Sequence, residues 1–170
     1  MGMGQSLLAI LALAILGTIF LTSGRNTLDQ RQVIEQCEYE IMATSLATSL
    51  VERASSLAFD EKTVNNTVSL SSSLTAVSGL GKDGIESAES SFDDFDDYNN
   101  FSKTVLGDTL SFKSANFTVW STVDYVTISG NAVVTSASQT YHKRLTVWVA
   151  SDMMRDTVNF QTVYSYWYFR

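Results

Sequence analysis

From Met1 to Gly24 the chain carries no ionisable side chain, and Leu7 through Leu21 reads LLAILALAILGTIFL. With the uncharged residues before it, this run approaches the roughly 20 residues needed to span a bilayer as a helix. It belongs in a membrane or deep inside a protein. Ten large side chains (Leu7, Leu8, Ile10, Leu11, Leu13, Ile15, Leu16, Ile19, Phe20 and Leu21) contribute about −0.3 to −0.6 kcal/mol each, roughly −3 to −6 kcal/mol in total for insertion. That is favourable but modest. Thr22, Ser23 and Gly24 would suit a signal cleavage site, but no lysine or arginine precedes the run as a secretory n-region requires. The segment is therefore expected to stay on the mature chain, and a plain single-pass anchor remains an alternative.

Thr27 to Phe59 contains neither proline nor glycine and is rich in helix formers. Apolar positions recur at Ile34, Cys37, Ile41, Leu46, Leu50, Ala54 and Leu57, steps of three to five that trace one helical stripe. Asp29, Arg31, Glu35, Glu38, Glu40, Glu52 and Arg53 fall on the other faces. The spacing predicts an apolar helix over residues 1–24 running into an amphipathic one over 25–59, about 80 Å together at 1.5 Å per residue. Cys37, on the stripe, is expected to be a packed thiol.

Composition changes after Asp60. Thr63 to Ser78 is rich in Ser, Thr and Asn, and Gly79, Gly81 and Gly84 lead into an acidic window. Together these predict a polar and acidic connector over residues 60–104. From Val105 onward the periodicity is close to two: Phe117, Val119, Val123 and Tyr125 share one face, Leu145, Val147 and Val149 alternate with Thr146 and Trp148, and Thr157 to Phe169 alternates again. Ser129-Gly130-Asn131 and Asp152 to Asp156 are the links. The expected fold is α+β, a long N-terminal helix packed on an antiparallel sheet over residues 105–170.

Charge and rare residues exclude several functions. Eleven basic against 18 acidic side chains give a net charge of −7, with no concentrated basic face for nucleic-acid phosphates. One histidine, His142, and one cysteine, Cys37, cannot build a His/Cys metal cluster or an intramolecular disulfide. Gly79-Leu80-Gly81-Lys82-Asp83-Gly84 matches GxGxxG letter for letter, but it lacks the strand-to-helix context that gives those glycines a use, and Asp83 would face the phosphate. Lys82 to Asp97 holds seven acids (Asp83, Glu86, Glu89, Asp93, Asp94, Asp96, Asp97) and one lysine. This window is read as an exposed, solvated loop, because its spacing lacks the alternation and terminal glutamate of a calcium loop. The sequons at Asn65, Asn100 and Asn116 are read as ordinary polar loop residues. In the aromatic C terminus, Trp167 and Phe169 alternate with Tyr164, Tyr166 and Tyr168, which predicts core packing on one face and a subunit contact on the other. No catalytic residue, cofactor or metal site is expected.

An uncharged apolar helix, an amphipathic continuation, a variable loop and an antiparallel meander resemble the layout of type IV pilins and pseudopilins. Ala43 to Arg53, running into Leu57-Ala58-Phe59-Asp60-Glu61, is similar to the helix end of bacterial prepilin-like proteins. Phe92-Asp93-Asp94-Phe95-Asp96-Asp97-Tyr98-Asn99 resembles a loop found in some of them, and Tyr141 to Val149 resembles their "YKRVTVTV"-like strand. Two departures accompany the match. Gln5 stands where pilins usually carry a glutamate that pairs with a neighbouring subunit's terminal amine, and the helix-breaking proline after the apolar run is missing, the chain having none.

The resemblance implies a structural protein, not an enzyme, that resides in the cytoplasmic (inner) membrane and then assembles as a homopolymeric helical filament on the cell surface. It also implies a mature chain whose leader has been removed, with a prepilin peptidase and the pilus assembly machinery as partners. Met1, Gln5, Leu8, Leu11, Ile15, Gly17 and Ile19 would be the assembly residues. A minor pilin, a secretion pseudopilin and a membrane-anchored binding module that does not polymerise are the alternatives. In the assembled filament, the glycines and hydroxyls between Gly17 and Gly24 predict local unwinding of the helix.

Overall fold

The computed structural model describes residues 2–84, 86–107 and 115–166. Two compact units are distinguished, Met1–Tyr39 and Glu40–Arg170. Helix α1, Met3–Ser55, supplies all of the first unit's described secondary structure and the opening of the second. Its apolar portion is long enough to cross a membrane, and the ten large side chains from Leu7 to Leu21 are all exposed on the single chain. The hydroxyls of this segment bond back along the helix: Thr18 Oγ1 donates to Ile15 O at 2.8 Å, Thr22 Oγ1 to Thr18 O, and Thr27 Oγ1 to Ser23 O at 2.9 Å. The single chain stays helical from Gly17 to Gly24; the unwinding expected above concerns the assembled state.

In the second unit, α1 buries Ala43, Ala47, Leu50 and Ala54, steps of four, three and four that keep one narrow stripe inward. The packed stripe is thus shorter and smaller than the sequence pattern implied. Ile34, Cys37 and Ile41 are exposed, so the expectation of a packed Cys37 thiol fails for the single chain. Alanine serves here because a short side chain lets the helix backbone lie close to its neighbours. The helix closes at Ser55, before the expected Phe59. The Ser56 N–H is shared between Glu52 O and Arg53 O, and the Leu57 N–H reaches Ala54 O, a tightened last turn.

The chain then turns back on itself. Ala58 N–H donates to Asp93 O at 3.1 Å and Phe95 N–H to Ala58 O at 2.9 Å, a short parallel bridge that lays residues 58–60 beside 93–96. Asp60 caps the one-turn helix α2, Glu61–Val64, with Thr63 closing the reciprocal bond. The polar connector that follows is more than a covering. Its sparse apolar residues Val68, Leu74 and Leu80 are buried with Phe59 and Tyr125 in one cluster.

Among the described residues the strands pair antiparallel: β1 Ser102–Val105, β2 Phe117–Ser129, β3 Ala132–Thr135, β4 His142–Ser151 and β5 Val158–Ser165. The order is β1-β2-β4-β5, with β3 paired to the far end of β2. Gly130, at φ +60°, opens the two-residue β2–β3 link, a backbone angle glycine adopts without steric cost. Register sets the faces. Val119 opposes Val149, Ser121 opposes Val147, Val123 opposes Leu145, and Tyr125 opposes Lys143, and all of these are buried. On the other face the Trp120 and Trp148 rings stack with centroids 6.2 Å apart, and Arg144 pairs with Asp124 at 3.2 Å. Trp167, Tyr168 and Phe169 lie outside the described residues, so the two-faced reading of the C terminus is described only as far as Tyr166.

Candidate functional site

The inward ladder of β4 ends on a lysine. Strand alternation places Lys143 on the same face as Leu145, Val147 and Val149, where its side chain is 0% exposed. A lone ammonium there would cost several kcal/mol, so it must be met by compensating charge. Two carboxylates meet it. Nζ lies 2.8 Å from Asp60 Oδ2 and 2.5 Å from Asp96 Oδ1, and it also donates to Phe59 O at 2.9 Å. The Phe59 and Tyr125 rings stand over the same nitrogen, with centroids at 4.7 and 5.1 Å, which adds cation–π attraction and excludes water.

Asp60 is held as an anion. Oδ1 accepts from Lys62 N–H at 3.1 Å, Thr75 N–H at 3.1 Å and Thr75 Oγ1 at 2.9 Å; Oδ2 faces Tyr125 Oη at 2.9 Å as well as Lys143. Burial alone would push this carboxyl up. The Lys143 charge and hydrogen bond, joined by the two backbone N–H groups, outweigh burial and bring it below the ordinary carboxylate range. Burial, followed by the Asp60 charge and hydrogen bond, pushes the Tyr125 phenol up, so it stays protonated as a donor.

The acidic loop is the main correction to the sequence reading. Asp94, Asp96 and Asp97 are 2%, 1% and 3% exposed and Glu86 is buried with them, whereas Asp83 and Asp93 remain in solvent. The loop turns inward because its carboxylates satisfy its own backbone. Asp94 Oδ1 accepts from Asp96 N–H at 2.7 Å and Asp97 N–H at 3.1 Å, and Asp97 Oδ2 accepts from Asp93 N–H at 3.0 Å and Asp94 N–H at 3.2 Å. Phe92, Phe95 and Tyr98, interleaved with the acids, supply the apolar area that carries the loop into the core. Phe95 meets Tyr164 at 5.0 Å, and Phe92 meets Tyr98 edge-on at 5.2 Å.

So many buried acids cannot all be ionised. Burial, followed by the Asp96 and Asp97 charges, raises Asp94 to about 9. Burial and a hydrogen bond with the Glu86 carboxyl raise Asp97 to about 7. Asp96 is raised as well, by burial, although Lys143 opposes it. The carboxyl oxygens of Glu86, Asp93 and Asp97, and of Glu61, Asp93 and Asp94, gather within 4.8 Å. That spacing would admit a hard cation, but a proton shared between Asp97 and Glu86 relieves the crowding in the first group.

The other sequence features find structural employment. Gly81, at φ +127°, lets the loop pass Asn99, whose Nδ2 donates to Leu80 O at 3.0 Å; the GxGxxG match serves a turn. His142 Nδ1 lies 2.8 Å from Ser165 Oγ across the β4–β5 pair. Gln5, Leu8, Leu11, Ile15, Gly17 and Ile19 lie along exposed helix, and Met1 falls outside the described residues. Sequence reasoning missed Asp60, Thr75, Tyr125 and Lys143 as a site. The available signal was Lys143 itself, in phase with Leu145, Val147 and Val149. The chain matches no protein-family model, and no curated protein or solved structure matches it.

Proposed function

We propose that this chain is the structural subunit of a type IV pilus-like helical filament. Its apolar helix resides in the membrane before assembly and in the filament core afterwards, and the Glu40–Arg170 unit coats the outside. The observation that carries this reading is the run of exposed apolar side chains from Leu7 to Leu21 on a continuous helix whose later turns belong to a folded α+β unit. An apolar surface of that extent needs a partner. Membrane and filament core offer it equivalent surroundings, so extraction by an assembly machine need not expose it to water. In this reading Met1, Gln5, Leu8, Leu11, Ile15, Gly17 and Ile19 make the subunit contacts, with Gln5 offering a neighbour's terminal amine a hydrogen bond in place of an ion pair. A prepilin peptidase and an assembly ATPase on an inner-membrane platform are the implied partners.

The test is electron microscopy of material sheared from cells, combined with thiol labelling. Long filaments containing this chain are expected, and Cys37, exposed on the single chain, should label in detergent-dispersed subunits and be protected in filaments. Recovery only from membrane fractions, with Cys37 equally reactive throughout, would refute the polymer and leave a membrane-anchored module.

A further inference from the structure

We propose that Lys143 and Asp96 condense to an intramolecular amide, a covalent cross-link between β4 and the acidic loop. The pair has the arrangement the reaction needs. Nζ touches the Asp96 carboxyl at 2.5 Å, the Lys143 and Asp96 side chains are both buried, and the Phe59 and Tyr125 rings close over the nitrogen. A nucleophile and an acyl carbon held in contact need no encounter, which is the largest single advantage an intramolecular reaction enjoys. The amide also replaces the charged Lys143–Asp96 pair by a neutral group.

The neighbours divide the remaining work. Asp60 touches Nζ through Oδ2 at 2.8 Å and, ionised by the Lys143 charge together with hydrogen bonds from Lys62, Thr75 and Tyr125, is a proton acceptor and a poor electrophile. Asp96 is the electrophile, because its carboxyl is hydrogen-bonded to the Asp94 carboxyl and burial favours its protonated form. Proton transfer from the ammonium to the Asp96 carboxylate gives a neutral amine and acid. The Nζ lone pair attacks Asp96 Cγ, a C–N bond forms, and the Asp94 carboxyl hydrogen-bonds the oxygen that gains charge. Asp60 accepts a proton from the nitrogen and returns it to the departing hydroxyl. One Cγ–O bond breaks. Two of the three ammonium protons leave with that oxygen as water, the third stays on the amide nitrogen, and nothing is oxidised or reduced. The cross-link joins residues 47 apart in sequence, so a subunit pulled along a fibre would resist extension of the intervening segment.

Mass spectrometry of the full chain, purified in detergent and denatured, tests this. With the N terminus assigned by peptide mapping, the intact mass should fall short of the sequence mass by one water molecule. Digestion should yield a branched peptide joining Lys143 to Asp96, and Lys143→Arg should restore the full mass. A wild-type chain at full mass overturns the proposal without any variant having to fold. A one-water deficit that persists in Lys143→Arg, or maps to a Lys143–Asp60 link, overturns the assignment of Asp96.

Discussion

Replacing Tyr125 by phenylalanine removes one oxygen from a fully buried site and leaves the ring, so it isolates what the phenol contributes to holding Asp60. The Oη sits 2.9 Å from Asp60 Oδ2 and 2.9 Å from Thr75 O. With one proton to give, it serves the carboxylate best, since a hydrogen bond to a charged acceptor contributes about 1.5–3 kcal/mol and a neutral one about half that. The aromatic face over Lys143 survives the change, and no large cavity opens. The loss should therefore be about 1.5–3 kcal/mol, seen as a fall of about 3–12 °C in the midpoint of thermal unfolding for a unit of this size. The assay is near-ultraviolet circular dichroism of the full chain in detergent, heated and, separately, titrated with urea. Tyr141→Phe is the matched control. Its Oη donates to the exposed Ser69 O at 2.7 Å, and the loss there should stay under about 1 kcal/mol. Equal losses for the two variants, within about 0.5 kcal/mol, would refute the reasoning. They would mean that Thr75, Lys62 and Lys143 already hold the Asp60 charge.

Three further outcomes are expected. Asp94 and Asp97 are held near 9 and 7 in the folded unit, above their ordinary range, so the folded state binds more protons than the unfolded one. Their contribution is complete below about pH 4 and is lost as pH rises through 7 and 9, while Asp60 works the other way in acid; urea midpoints should thus fall from about pH 5 to about pH 9. A constant or rising midpoint would contradict this, and Asp97→Asn should flatten the first part of the decline. Ala47→Leu forces a larger side chain into the closely packed stripe of α1 and should cost about 1–3 kcal/mol, read as a lower urea midpoint; no change would mean that the helix has room to move outward. Removing residues 1–24 should leave a soluble, folded monomer by sedimentation and circular dichroism, because the buried alanine stripe begins only at Ala43; an unfolded or polymeric product would count against a modular chain.

The fold was legible wherever one periodicity ran long enough to be unambiguous. The uncharged start and the proline-free continuation define α1, and the period-two runs define β2, β4 and β5, because each pattern follows from a single burial face. The helix stripe was misread at its N-terminal end. Ile34, Cys37 and Ile41 are apolar and in phase, but sequence cannot tell a residue that packs within its own chain from one whose partner is elsewhere.

The acidic loop was misread for a different reason. Charge counts assign each aspartate a full negative charge and therefore a place in water, yet protonation depends on neighbours that sequence separation hides. Asp60 and Lys143 are 83 residues apart, and Asp96 and Lys143 are 47 apart. What was visible, and undervalued, is that Phe92, Phe95 and Tyr98 punctuate the acids at intervals of three. An exposed loop has no use for three large rings at that spacing, whereas a loop that must bury them drags its carboxylates inward and then needs a cation and protons to neutralise them. Lys143, one step beyond an apolar run of period two, is the only buried cation among the described residues that answers this demand. Aromatic interleaving of an acidic run, together with a lysine in phase with a core strand, is thus the joint signature of a buried charge network.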